Sequence, residues 1–277
     1  ATVDDARLAD VGTRIRDIME FLLELHDAGE LPTDFAEVPL TAVYHAPCQL
    51  KSQGMGQPAM EVLKLIPGVE AFHDLPFRKK PELFVFRDRK SYLRHSPSRA
   101  RFCAFSSGRL VISPWALEEA REGKISLETY LRHELSHILL FQHKGILAEF
   151  RYPRWLLEGI AVYGSNQMGT SFYPTKEETY ALIRKGNFMP PRKFHTRAEN
   201  RVKLDVPYRM TFMYSEFACI VDRLVERYGR AKFLAYMKSQ LERGDHDAVF
   251  REVFGVGFDE FIVEFRENAE ETGAAMN

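Results

Sequence analysis

His133, Glu134 and His137 stand in the order H-E-x-x-H within a stretch of strong helix formers. In a helix, residues four apart lie about one turn along the same face. Two imidazoles placed this way can reach a single Zn²⁺, and the Glu134 carboxylate beside them is a candidate general base. A catalytic zinc site takes three protein ligands and keeps one position open for water. The third ligand has three candidates. His143 follows His137 by six residues, the place of the third histidine in H-E-x-x-H-x-x-G-x-x-H. That pattern needs a glycine to turn the chain out of the helix, and the position is Leu140, a strong helix former. Glu149 follows the helix on an expected loop that does little to fix it. Glu158 lies 21 residues after His137, inside Trp155-Leu156-Leu157-Glu158-Gly159. Its apolar neighbours describe a packed helix able to aim a carboxylate, so Glu158 is the favoured ligand.

The elements that must position these groups are legible in part. Leu131, Leu135, Ile138 and Leu139 give the H-E-x-x-H helix a buried side. Ser126 suits its N-cap, Glu128 its first turn and Lys144-Gly145 its end. Upstream, Leu83 to Phe86 reads as a buried strand. Phe102–Phe105 and Leu110–Ser113 read as a hairpin around Ser107-Gly108. Pro76 to Pro81 is polar and basic and reads as a linker. Downstream, helices are expected at Arg154–Ser165, Lys176–Lys185, Arg209–Tyr228, Ala231–Glu242, His246–Phe254 and Phe258–Ala269. Toward the N-terminus, Asp5–His26 has helical spacing, Leu40–His45 reads as a strand, and Pro58–Ile66 as a helix closed by Pro67-Gly68.

The chain has 277 residues and a net charge of −1. Nothing in that balance favours nucleic acid or an anionic membrane. Nine Lys or Arg against two acids between Arg78 and Arg101 read as a solvated basic face. No apolar run approaches the roughly 20 residues of a membrane helix. The start at Ala1 rather than Met is expected to reflect processing or trimming, and the compartment stays open. Cys48, Cys103 and Cys219 are odd in number and widely spaced, which argues against a disulfide framework or a zinc-thiolate cluster.

Two resemblances sharpen these expectations. His133–His137 followed by Trp-Leu-Leu-Glu-Gly-Ile-Ala is similar to the gluzincin metallopeptidases, especially the bacterial peptidase-MA-like families. There the motif pair reads H-E-L-x-H and then W-L-x-E-G-x-A. The likeness covers roughly residues 81 to 268. It takes in Arg109–Ser113, the later helix ending Leu-Val-Glu-Arg-Tyr-Gly at 224–229, and Val-Phe-Arg-Glu-Val-Phe-Gly-Val at 249–256. It implies one Zn²⁺ per chain on His133, His137 and Glu158, with Glu134 as catalytic base. It also implies a tyrosine that helps the oxyanion, Tyr214, with Tyr208 as the alternative. The substrate implied is a peptide or protein, and the Leu110–Ser113 strand is expected to pair with it.

The second resemblance lies in the N-terminal part. Tyr44–Leu50, Gln53-Gly54-Met55-Gly56 and Leu65–Glu70 resemble the cysteine-rich domain of the anaerobic glycerol-3-phosphate dehydrogenase iron–sulfur subunit. The Cys-Cys-Gly motif that completes that module is absent, and one Cys48 thiolate cannot hold a four-cysteine cluster. The expected organisation is a truncated α/β segment over 1–74 and a metallopeptidase domain over 75–277. The fold class expected is α+β, mostly helical and zincin-like, with a small sheet. Two rival readings are a zinc-bearing scaffold without turnover and a redox-complex subunit. The oligomeric state stays open.

Overall fold

A computed structural model describes residues 58–86, 88–96, 100–105, 107–145 and 151–271. The chain divides into two compact units, Ala1–Ala46 and Pro47–Asn277. All of the first lies outside the described residues, with the helix and strand expected there and Cys48 close behind it. The second is mostly helical with a small sheet. In chain order it runs α1 (Pro58–His73), β1 (Glu82–Val85), α2 (Arg89–His95), β2 (Phe102–Ala104), β3 (Arg109–Ile112), α3 (Pro114–Arg121) and α4 (Leu127–Lys144). Then follow α5 (Arg154–Gly164), α6 (Lys176–Arg184), α7 (Arg209–Tyr228), α8 (Arg230–Glu242), α9 (His246–Phe254) and α10 (Phe258–Glu271). Among the described residues, no helix is long and apolar enough to cross a membrane.

The sheet order is β1-β3-β2. The expected hairpin forms: β2 runs antiparallel to β3, with Cys103 opposite Val111. Gly108 takes φ +88° in the turn, where a side chain would be strained. β1 lies parallel on the other side of β3, Leu83 opposite Leu110. β3 is therefore the central strand, with Leu110, Val111 and Ile112 all buried. This corrects the expectation that Leu110–Ser113 would pair with a substrate, because both of its edges are already taken. Among the described residues, the outer edges of β1 and β2 carry no partner strand.

Helix α4 carries H-E-x-x-H and is buried from Leu131 almost to its end. The Ser126 hydroxyl accepts the Thr129 N–H at 3.2 Å and so satisfies one of the helix's free donors. Gly145, at φ +90°, closes the other end. Leu131, Leu135, Ile138 and Leu139 are fully buried in a core shared with Leu156, Ile160, Phe212 and Phe217. Each such side chain contributes about 1.5–3 kcal/mol by leaving water.

Helix α1 departs from expectation. It does not stop at Pro67-Gly68 but continues to His73. Pro67 forfeits one backbone hydrogen bond, yet Leu65, Ile66 and Val69 are buried and the helix packs along α4. A Cβ on Gly68 would meet only the Arg132 guanidinium, at 2.9 Å, the movable end of a long side chain. Tertiary burial outweighs the proline's local cost. The segment after α1 is also tied down rather than free. Lys79 and Gln142 exchange two hydrogen bonds of 2.8 and 2.9 Å, and the Pro76 carbonyl lies 2.8 Å from His143 Nε2.

Candidate metal centre

Helices α4 and α5 cross so that three side chains converge. α5 supplies Glu158, and its depth is set by the next residue. A Cβ on Gly159 would lie 2.6 Å from the Phe217 carbonyl of α7, so only glycine lets α5 sit this close. Seated there, Glu158 reaches both histidines of α4. Its Oε2 is 3.5 Å from His133 Nε2 and 3.4 Å from His137 Nε2. The two nitrogens are 3.0 Å apart.

These distances fit a metal ion. A tetrahedral ion with ligands at about 2.0–2.1 Å has ligand–ligand edges of roughly 3.3–3.4 Å. Without an ion the arrangement is poorly satisfied. A proton can bridge only one edge of the triangle at a time, and Glu158 Oε2 is buried with no hydrogen-bond partner. The buried His133, His137 and Glu158 group can therefore hold a metal ion. Electrostatics hold Glu158 as the anion that arrangement needs. Burial alone would raise the Glu158 pKa, but His137 and His133 overcome it and hold the carboxylate ionised well below its usual range. Burial works against a charged His133, yet Glu158 and Glu134 raise its pKa.

Glu134 sits next to this triangle without joining it. Burial raises its pKa, opposed by the two histidines and by a hydrogen bond from the Ala104 backbone. Tyr214 of α7 stacks nearly parallel to the His133 ring, 6.3 Å between centroids. Burial and the adjacent Glu158 carboxylate push its hydroxyl pKa well above the usual value. All five side chains line one cleft of about 500 Å³. Its walls are aromatic (Phe102, Tyr130, Phe141, Phe172, Tyr173), with Arg101 and Arg154 at the sides. Residues Ala100 to Ala104, which include edge strand β2, form one wall.

The remaining candidates lie elsewhere. Tyr208 is 55% exposed, stands at the N-cap of α7 and packs edge-on against Phe172, outside the cleft lining. His143 faces the Pro76 carbonyl. Glu149 lies outside the described residues. Cys103 borders the cleft on β2, and Cys219 is buried in α7.

Several cleft residues carry no signal in the motif, Tyr130, Tyr173 and Gln167 among them. Tyr130 lies one turn before Glu134 on the same helix, so helical spacing alone could have found it. Tyr173 and Gln167 follow α5 in irregular structure, where no periodic signal exists.

Behind the H-E-x-x-H motif lies a second buried histidine. His73 Nδ1 is 2.8 Å from the Val69 carbonyl and Nε2 is 2.8 Å from Ser136 Oγ, which clips α1 to α4. Burial lowers the His73 pKa to about 4, with further lowering from His137, Arg230 and His143 and partial compensation from Val69. The folded chain thus prefers neutral His73, while the unfolded chain takes up its proton near pH 6.5. Stability from this group is complete above pH 6.5 and lost as pH falls toward 4, about 3 kcal/mol in all. Denaturant unfolding of metal-free protein at pH 7.5 and 4.5 checks this. His73→Leu should flatten the difference by that amount, and an unchanged pH dependence would contradict it.

No protein family, curated protein or solved structure was found to match this chain.

Proposed function

We propose that this chain is a zinc-dependent peptidase of the gluzincin type. It would hydrolyse a peptide bond with an activated water and a glutamate base. The observation that carries the reading is the triangle of His133 Nε2, His137 Nε2 and Glu158 Oε2, with edges of 3.0–3.5 Å and Glu134 beside it. An open cleft supplies room for substrate at that point.

When bound on these three residues, zinc supplies a Lewis acid and a water whose pKa falls toward neutrality. Glu134 accepts the proton of the attacking water and returns it to the leaving amine. Its burial favours this work, since a carboxylate raised toward the operating pH both takes and gives a proton. Tyr214, with its proton firmly held, donates to the oxygen on which negative charge develops. The outer edge of β2, which has no partner strand among the described residues and borders the cleft, can accept an extended peptide as an added strand. The aromatic walls then fit a bulky apolar side chain beside the cleaved bond.

The test is digestion of an unbiased peptide mixture by the full chain, read by mass spectrometry. Zinc-loaded protein should cleave, chelator-treated protein should not, and added zinc should restore cleavage. In the same assay Tyr214→Phe should lower kcat by about 10²-fold with little change in KM, the usual cost of one oxyanion donor. A zinc-loaded chain that leaves every peptide intact rules the proposal out.

A further inference from the structure

Gln167 is fully buried, yet it belongs to an irregular turn and holds a polar side chain against a metal-site histidine. Its Oε1 lies 2.7 Å from His133 Nδ1, on the ring edge opposite Nε2. The backbone around it is fixed. The Gln167 N–H bonds the Val162 carbonyl at 3.1 Å, and its carbonyl accepts from the Thr170 hydroxyl at 2.6 Å. Asn166, at φ +53°, makes the turn that brings the chain back toward α4.

We infer that Gln167 is the positioning residue that presents His133 to the metal in the one tautomer able to bind it. This rests on the metal-centre reading above and adds a residue that the H-E-x-x-H motif does not contain. A neutral imidazole carries its single proton on one nitrogen. With the Gln167 carbonyl oxygen facing Nδ1, that nitrogen carries the proton and donates it, and Nε2 keeps its lone pair for the ion. The opposite amide orientation would direct N–H groups at Nδ1 and leave the proton on Nε2, where it blocks coordination. The same turn buries the Gln167 amide between His133 and Tyr130. Among the described residues His137 has no equivalent, because its Nδ1 is buried without a partner. Of the two histidines, only His133 is oriented from behind by this amide. The element that delivers Glu158 also ends in the turn that delivers Gln167, so α5 places one ligand directly and fixes a second from behind.

The experiment is zinc affinity of the full chain by chelator competition, for wild type, Gln167→Leu and Gln167→Glu. Loss of such a partner weakens metal binding by about 10–100-fold. That is the result expected for Gln167→Leu, with the thermal midpoint of its metal-free form close to wild type. Gln167→Glu keeps an acceptor, and a charged one is stronger, so it should bind zinc at least as tightly as wild type. In zinc-loaded wild type the His133 Nδ1–H should give a slowly exchanging imidazole signal in the proton NMR spectrum, absent from Gln167→Leu and present in Gln167→Glu. Equal zinc affinity in wild type and Gln167→Leu overturns the inference while leaving the metal centre intact. Equal weakening in both variants also overturns it, since the site would then need only the glutamine's shape. A wild-type chain that takes up no zinc overturns the metal centre itself, and this inference with it.

Discussion

Glu134→Gln is expected to keep one zinc per chain and to lose about 10²–10⁴-fold in kcat/KM, the range general-base catalysis contributes. That corresponds to about 2.7–5.5 kcal/mol of lost transition-state stabilisation. The substitution is close to isosteric and removes only the ability to take a proton. Glu134 is buried beside the ligand triangle but is not one of its three corners, so the metal should stay. A glutamine also tolerates the site: the carboxyl it replaces already has a pKa raised by burial, and a neutral amide costs less to bury than a carboxylate. The readouts are metal content and steady-state kinetics on the same preparation. Full turnover in a zinc-loaded Glu134→Gln protein would remove Glu134 from the base role. Loss of zinc together with turnover would instead make Glu134 part of the coordination.

Glu158→Gln should have the opposite signature, losing the metal first and activity as a consequence. The ligand triangle needs an anionic oxygen on α5, and an amide oxygen is a poor substitute for it around a divalent cation. Zinc affinity should fall by more than the roughly 100-fold upper range for removing an outer partner. Thermal stability provides an independent reading. An ion at 1,000 times its Kd stabilises the fold by about 4 kcal/mol, whereas a 100-fold weaker site at the same concentration gives about 1.4 kcal/mol. Zinc should therefore raise the melting point of wild type clearly and that of the variant little. The metal-free variant is expected to be less stable than wild type, because the two histidines hold Glu158 ionised and lose that partner, so the readout is the zinc-induced shift within each protein. An undiminished zinc-induced shift would take Glu158 out of the ligand set.

Much of the site was legible because it depends on short-range geometry. The four-residue step from His133 to His137 fixes both rings on one face of any helix, whatever surrounds it. Leu140, in place of a glycine, keeps that helix going, and His143 accordingly turns toward Pro76. Trp155-Leu156-Leu157 before Glu158 and Ile160-Ala161 after it announced a helix buried on several sides, which α5 is. Ser126 and Gly145 marked the ends of α4 because capping is local chemistry. The tyrosine is a different case. Tyr208 and Tyr214 both belong to the start of one helix, and only its packing brings Tyr214 to the His133 ring and leaves Tyr208 at the surface.

The local pattern also erred where distant contacts outweigh it. Pro67-Gly68 is a stop signal in isolation, but α1 passes through it because α4 offers an apolar face and a hydroxyl partner for His73. Leu110–Ser113 reads as a strand and is one, but its position between β1 and β2 is a matter of sheet order. Parallel pairing of β1 with β3 joins segments separated by a helix and a hairpin strand, and nothing in either segment specifies the other.

Alone, the sequence set the chemistry on offer: two imidazoles and a carboxylate base on one helix, and an acid on a second. Spacing along a helix is a property of the backbone, so it is written residue by residue. The folded chain decided whether that acid arrives, how deep it sits, and what stands behind the histidines. Those outcomes depend on Gly159 against Phe217 and on a buried turn that carries Gln167 to His133. Each brings together residues 34 or more positions apart, across contacts that no local periodicity encodes.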